Sequence, residues 1–275
     1  MNKLNNLHVK KNGESSKEKC PLVKMVNISK SFGHVQALKS VSFDLYHNEV
    51  LGLIGDNAAG KSTLMKILVG VLKPDGGEIL IDGKRVNIDN PSIARKFGIN
   101  MIFQDFAVCK SMWVAGNIFL GQEPTKGFFG KIIGLLDKNY MLEKSISILD
   151  KQGVDSRICK KQVGSLSGGQ QQSIAIARAV GFATKIVIMD EPTASLGVNQ
   201  SNRLMEIIKK FKKNGISVIY ISHRMQDVFN LTNRIIVLKN GEKIGDFHTK
   251  EVSYNDIIKL MVENKQYKNN NNGIG

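Results

Sequence analysis

Gly55-Asp56-Asn57-Ala58-Ala59-Gly60-Lys61-Ser62 follows the apolar run Val50-Leu51-Gly52-Leu53-Ile54 and precedes a stretch, Thr63 to Leu72, that reads as a helix. The octet fits the pattern G-x-x-x-x-G-K-[ST]. Backbone N–H groups of such a loop point inward and cradle phosphate oxygens, and the following helix presents its positive dipole end to the same anion. Lys61 would reach the outer phosphates, and the Ser62 hydroxyl would bind Mg²⁺. Thr63, directly behind the octet, is grouped with the nucleotide-binding residues. A glycine-rich turn can arise by chance, but the strand before it and the helix after it supply the context that this chemistry needs.

Further along, Asp190-Glu191 closes a second apolar run, Ile186-Val187-Ile188-Met189. Continuous apolar runs suit parallel strands covered on both faces. A carboxylate at the end of such a strand sits where parallel sheets bind ligands. Asp190 would hold Mg²⁺ through water, and Glu191 would orient or deprotonate an attacking water. Ile216 to Ile221 reads as another strand. Leu204, Ile207, Ile208 and Phe211 mark an amphipathic helix, and Met141, Leu142, Ser145, Ile148 and Leu149 share one face of another over Asp137 to Asp150. Ile79-Leu80-Ile81 with Asp82-Gly83, and Ile235 to Leu238 with Asn240-Gly241 and Lys243 to Phe247, read as hairpins. Ser253 with Asp256 resembles a capping box opening a helix through Met261. The alternation of strands and helices predicts an α/β core with a mainly parallel sheet.

The 275 residues suffice for one large domain or one core with inserted subdomains. No stretch approaches the roughly 18 apolar residues that span a bilayer. Residues 1–21 are polar and Lys/Asn-rich and lack the apolar run of a secretory signal, so the default location is the cytoplasm. They read as a flexible basic tail, and residues 265–275, with four consecutive asparagines, as another. Cys20, Cys109 and Cys159 have no ligand spacing and suggest neither disulfides nor a zinc site. The formal net charge of +15 is compatible with nucleic acid or with an anionic membrane surface. Lysines are spread through every segment without forming one stripe, which favours a compositional origin over nucleic-acid binding.

Leu166-Ser167-Gly168-Gly169-Gln170 precedes a helix of small residues, Ile174-Ala175-Ile176-Ala177-Arg178-Ala179. Ser167 can cap that helix, and the two glycines let another backbone approach. LSGGQ lying between the phosphate loop and the Asp190 strand resembles the ABC ATPase family. Other elements match in order. Phe32 resembles the aromatic that stacks on adenine, Gln104 the residue that contacts Mg²⁺ and senses a membrane partner, and His223 the switch histidine contacting the γ-phosphate. The resemblance covers roughly Leu22 to Met261. It implies a P-loop NTPase (RecA-like) parallel-sheet core with an antiparallel β subdomain and an inserted α-helical subdomain. One ATPase domain is expected over 22–264, with the helical subdomain at about 105–170. Two departures stand out. Ala58 occupies a position that is usually glycine, at a cost of roughly 1 kcal/mol if φ there is positive. Ala194-Ser195-Leu196-Gly197 replaces a segment that usually ends Leu-Asp, which removes one contact expected across a dimer.

Trp113 to Pro124 (WVAGNIFLGQEP) is similar to a segment of bacterial carbohydrate importers, as is Gly134-Leu135-Leu136-Asp137, and Ser195 to Gln200 resembles their single-domain, fructose-type branch, which implies a monosaccharide as cargo. The resemblance thus implies an ATP- and Mg²⁺-dependent ATPase, acting as a homodimer or paired with a similar subunit. Its expected partners are a membrane permease and, indirectly, a periplasmic or lipid-anchored sugar-binding protein, with no nucleic acid. The implied place is the cytoplasmic face of a bacterial membrane. Each ATP would lie between Lys61 of one chain and Ser167, Gly168, Gly169 and Gln170 of the other. A nucleoside importer and a non-transport ABC ATPase remain as alternatives. The apolar content of Phe103 to Pro124 would include a groove for a permease helix.

Overall fold

The computed structural model describes residues 20–102, 107–127, 134–194 and 196–262. Residues 1–19 and 265–275 of the expected tails, and Gln104, therefore lie outside the described residues. Chain order is β1 (Val23–Phe32), β2 (Val35–Leu45), β3 (Val50–Gly55), α1 (Lys61–Leu68), β4 (Gly76–Ile81), β5 (Lys84–Val86), α2 (Pro91–Lys96) and β6 (Ile99–Ile102). There follow α3 (Val114–Ile118), α4 (Lys138–Lys151), α5 (Gly168–Val180), β7 (Ile186–Asp190), α6 (Val198–Lys213), β8 (Ser217–Ile221), α7 (Met225–Leu231), β9 (Arg234–Lys239), β10 (Glu242–His248) and α8 (Tyr254–Val262).

The strands form two sheets: a four-stranded one in the order β2-β1-β4-β5 and a six-stranded one in the order β10-β9-β3-β8-β7-β6. Strands of the first are antiparallel. In the second, β9, β3, β8, β7 and β6 run parallel, and β10 returns antiparallel at the edge. The apolar runs of the central strands are explained by what covers them. Leu51 and Leu53 of β3, Ile188 of β7 and Ile219 of β8 face a core shared with the antiparallel sheet and α1. Ile54, Met189 and Tyr220, their neighbours in sequence, face a second core built with α5, α6, α7 and α8. Both faces are dry, so period-2 alternation disappears from the sequence. Arg234 fastens the sheets together: its guanidinium donates to Glu49 Oε1 (2.8 Å), Asp246 Oδ1 (2.6 Å) and the Asp44 carbonyl at the end of β2 (2.8 Å).

A third core belongs to the helical insertion, where Val114, Ile118 and Phe119 pack with Met141, Leu149, Ile158, Leu166 and Ile174. The Phe119 ring meets those of Phe182 and Tyr140 edge-on, at 4.8 and 6.1 Å. Within the apolar content of Phe103 to Pro124, Ile118 and Phe119 are core and Leu120 is exposed. Asn117, fully buried, accepts from the Cys109 N–H and donates to the Cys109 carbonyl, holding residues 109–117 in a closed turn.

The first helix also departs from expectation, running Lys61–Leu68 instead of Thr63 to Leu72. Gly70, at φ 72°, closes it. Its N–H returns to the Ile67 carbonyl and that of Val71 to Lys66, the paired bonds of a left-handed helix stop. A Cβ on Gly70 would lie 2.6 Å from the Asn90 backbone, so the stop is also a packing contact. The capping serines are where the sequence puts them: Ser253 and Asp256 exchange bonds at the start of α8, and Ser167 with Gln170 at the start of α5.

Ala58 does sit at positive φ, 63°. The left-handed conformation costs a side chain about 1–2 kcal/mol, and the greater chain entropy of glycine offsets about 0.5–1 kcal/mol of that. Ala58→Gly is expected to raise stability by about 0.5–1 kcal/mol, read as a higher urea midpoint. An unchanged or lower midpoint would show that the loop relaxes the strain in some other way.

Candidate functional site

Three parallel strands carry the site. Leu53 of β3 pairs with Ile221 of β8, and Ile221 pairs with Asp190 of β7, so the three residues lie in one line across the sheet. Neighbouring strands are about 4.8 Å apart, so the ends of β3 and β7 are about 10 Å apart. β8 lies between them and delivers His223 two residues beyond Ile221. The phosphate loop leaves β3 at Gly55, while Glu191 leaves β7 directly after Asp190.

The side chains close this gap. Ser62 Oγ donates to Asp190 Oδ2 at 3.0 Å. Lys61, buried, points its ammonium back into the loop and donates to the carbonyls of Gly55 (2.8 Å) and Asp56 (2.9 Å). Glu191 Oε2 lies 3.0 Å from His223 Nδ1. Glu191 has φ 47°, a strained left-handed conformation held by its N–H bond to the Ile221 carbonyl (2.9 Å). Burial pulls the Lys61 ammonium below its usual pKa, against the opposing pull of Glu191, Asp190 and Asp56. Burial likewise pushes Asp190 up; the Ser62 bond opposes this, and the Glu191 charge adds to it.

The loop itself is wedged between sheets. Gly60 opens α1 at φ 99°, and a Cβ there would strike the Ala37 carbonyl of β2 at 2.7 Å. The Gly241 N–H, from the β9–β10 turn, donates to the Ala59 carbonyl (3.2 Å), and the Lys39 N–H to that of Gly241 (2.7 Å). The first turn of α1 carries no acidic residue, so its N–H groups keep an uncompensated positive field toward Asn57 to Thr63.

Phe32, 48% exposed, ends β1. Gln104 lies outside the described residues. Ser167 and Gly168 are exposed at the N-terminus of α5, and a Cβ on Gly168 would meet nothing within 4 Å. The structure thus brings together Lys61, Ser62, Asp190, Glu191 and His223, and places Ser167 to Gln170 at a separate, outward-facing helix start. The altered segment after Glu191 leads into α6 at Gly197, whose N–H is bonded to Gln200 (3.4 Å).

Some residues near the site gave no signal in the sequence. Asp227, buried in the first turn of α7, accepts from Thr193 Oγ1 at 3.1 Å, and Thr193 lies 3.4 Å from the buried Tyr220 hydroxyl. Thr193 is two residues past Glu191 and Asp227 four past His223, so this bond ties together the loops that carry Glu191 and His223. An acidic residue early in a helix reads as a dipole partner, which concealed its tertiary role. Arg178 of α5 donates to the Ala107 carbonyl (3.0 Å), joining the helix that starts at Ser167 to the segment after Gln104.

The residues present fit a hard cation. Ser62 Oγ and Asp190 Oδ2 are oxygen ligands 3.0 Å apart, the atom type that hard cations take directly or through water.

The ABC transporter family model matches residues 38–194. The chain is 43% identical over 242 residues to the ribose import ATP-binding protein RbsA of Caldanaerobacter subterraneus subsp. tengcongensis, covering 88% of this chain and 48% of that protein. It thus spans about half the length of the curated relatives it matches. Among solved structures, the ADP conformation of an ATP-binding cassette of an ABC transporter superposes with TM-score 0.74 at 28% identity, covering 90% of this chain and 96% of that one. A dimeric post-hydrolysis ATP-binding cassette bound to ADP and Pi gives TM-score 0.68 at 26% identity, covering 82% and 98%.

Because the folded-state pKa of Asp190 is raised, its ionised form costs stability at neutral pH. The cost fades as pH falls through that folded pKa toward the ordinary carboxylate range. Asp190→Asn removes the charge and keeps an acceptor for Ser62. In the absence of nucleotide and divalent cation it is expected to be more stable than the parent at pH 7. The gain should shrink as pH falls. Thermal melts across pH decide, and a variant less stable at pH 7 would contradict the assigned cost.

Proposed function

This chain belongs to the ABC transporter family, and on that premise we propose that it is the ATP-hydrolysing subunit of an importer carrying a sugar into a bacterial cell. The observation that carries the hydrolytic part is the Glu191–His223 pair, 3.0 Å apart beside the Lys61–Ser62 loop. Lys61 exchanges its two carbonyl partners for the β- and γ-phosphates, and the N–H groups of Asp56 to Thr63 take the remaining oxygens. Phe32 stacks on adenine. Ser62 and Asp190, with Gln104, would hold Mg²⁺, which when bound neutralises phosphate charge. Glu191 aims the attacking water and takes its proton, while His223, fixed through Nδ1, turns its other nitrogen to the γ-phosphate.

One chain supplies half of each site. Ser167, Gly168, Gly169 and Gln170 face outward and are suited to a second copy, whose ATP they would contact from the far side. A relative of this fold captured as a dimer with ADP and Pi supports that arrangement. Opening after hydrolysis would move the helical insertion, and with it a permease docked near residues 107–111, of which Ala107, Lys110 and Ser111 are exposed. A sugar as cargo is supported by the Trp113 to Pro124 segment and by the ribose import relatives. On this reading the subunit works at the cytoplasmic face of the membrane, with a permease and an external sugar-binding protein. Among the described residues no helix is long and apolar enough to cross a membrane.

Glu191→Gln keeps an acceptor for His223 but cannot take a proton. It should bind ATP normally, hydrolyse it roughly 10²–10⁴-fold more slowly, and accumulate as an ATP-bound dimer on size-exclusion chromatography. Near-normal turnover would remove Glu191 from the chemistry. Acidic substitutions at Ala107 and Ser111 should leave folding and basal hydrolysis intact and abolish co-purification with the permease. Normal assembly would place the coupling surface elsewhere.

A further inference from the structure

The β1–β4 ladder runs out just where the aromatic platform begins. Its last backbone pair is Ser29 with Gly76, three residues short of Phe32. Beyond that pair, Asp75 continues the pairing with its own groups. Its N–H donates to the Ser29 carbonyl (2.8 Å). One carboxylate oxygen accepts from the Ser31 N–H (2.7 Å), and the other accepts from Lys30 Nζ (2.6 Å). The Lys30 ammonium in turn lies 5.8 Å from the centre of the Phe32 ring. The backbone on one side of Phe32 and the cation against its ring are thus both set by one carboxylate, 43 residues further along the chain.

Phe32 itself has little else to hold it. It is half-exposed, stands at the end of β1 beyond its last pair with β4, and pairs with Val35 across a tight turn. An exposed ring at a strand end keeps rotamer and backbone freedom that binding must remove, and each frozen freedom weakens a ligand's net affinity. A carboxylate that already fixes the strand removes that loss in advance. Lys30 is the better buried of the pair, with 17% side-chain exposure against 47% for Asp75. Its ammonium therefore stays close to the ring instead of ranging through solvent, and a cation near an aromatic ring is attracted to its face. The Lys30 bond also holds the Asp75 carboxyl below the usual carboxylate range, so it remains charged under ordinary conditions.

We propose that Asp75, acting through Ser31 and Lys30, is the positioning residue for the base-stacking platform at Phe32, and so contributes to affinity for the adenine base separately from the phosphates. The inference rests on the stacking role assigned to Phe32 above. It makes a division that a merely structural role for Asp75 would not: base binding should suffer, and phosphate binding should not.

The test compares dissociation constants of the full chain for Mg-ATP and for magnesium tripolyphosphate, which carries the phosphates without base or ribose. Phe32→Ala should weaken ATP binding by about tenfold, the scale of one base–aromatic stack, and leave tripolyphosphate unchanged. Asp75→Ala should weaken ATP by about three- to tenfold, again sparing tripolyphosphate, and should cost nothing further in the Phe32→Ala background. Asp75→Asn keeps an acceptor for Ser31 but loses the ion pair, and should fall between parent and alanine. It also serves if the alanine variant folds poorly. Equal loss for both ligands would overturn the inference in favour of a general structural role. Unchanged ATP affinity in both Asp75 variants, with Phe32→Ala still impaired, would overturn it alone. Should Phe32→Ala bind ATP as the parent does, the stacking role falls and the inference with it.

Discussion

The site depends on the lateral alignment of Leu53, Ile221 and Asp190 in three adjacent parallel strands. A parallel ladder fixes the level at which each strand ends, and the loops that follow start from there. Because β8 lies between β3 and β7, the loop carrying His223 emerges between the one carrying Lys61 and Ser62 and the one carrying Asp190 and Glu191. A slip of one residue in either ladder would turn side chains to the opposite face. Asp190 would then leave Ser62, and Glu191 would leave His223. The sheet is protected against such slips by apolar cores on both faces, which make every register but one expensive.

The charged groups gathered there are held at some cost to the fold. Lys61 and Asp190 are displaced from their ordinary pKa values by burial before any other cause, and Glu191 is kept in a left-handed backbone conformation. Natural sites store strain of this kind where a ligand can relieve it. Lys61 resting on two carbonyls, and Ser62 on Asp190, show how the protein satisfies these groups internally: a phosphate can replace the carbonyls, and a hard cation can replace the hydrogen bond. The buried Thr193–Asp227 bond keeps the loops carrying Glu191 and His223 in mutual position, so the geometry does not rest on the exposed His223 alone.

Much of this could be read from the chain. The loop, the two strands that frame it, both hairpins and the Ser167 and Ser253 caps are local patterns, each with its cause inside about ten residues. The positive φ at Ala58 was likewise foreseeable from the loop's geometry. What escaped was non-local. The first helix stops at Leu68 because Gly70 packs on Asn90, a contact no periodicity reveals. Ile118 and Phe119 could have lain in a surface groove or in a core, since either use needs apolar residues, and packing against α4 and α5 settled it. Asp227 and Asp75 carry the same difficulty: a carboxylate early in a helix or before a strand looks solvated until its partner, 34 or 44 residues away, is known.

The central claim is that the carboxyl ends of three adjacent parallel strands assemble a phosphate and cation site whose ligands displace its internal bonds. A structure of the chain with Mg²⁺ and a non-hydrolysable ATP analogue tests it most directly. Expected is a Lys61 ammonium moved from the Gly55 and Asp56 carbonyls to the phosphates, a cation in place of the Ser62–Asp190 hydrogen bond, and Ser167 of a second copy against the γ-phosphate. A nucleotide bound elsewhere, with Lys61 still on its carbonyls and Ser62 still on Asp190, would contradict it.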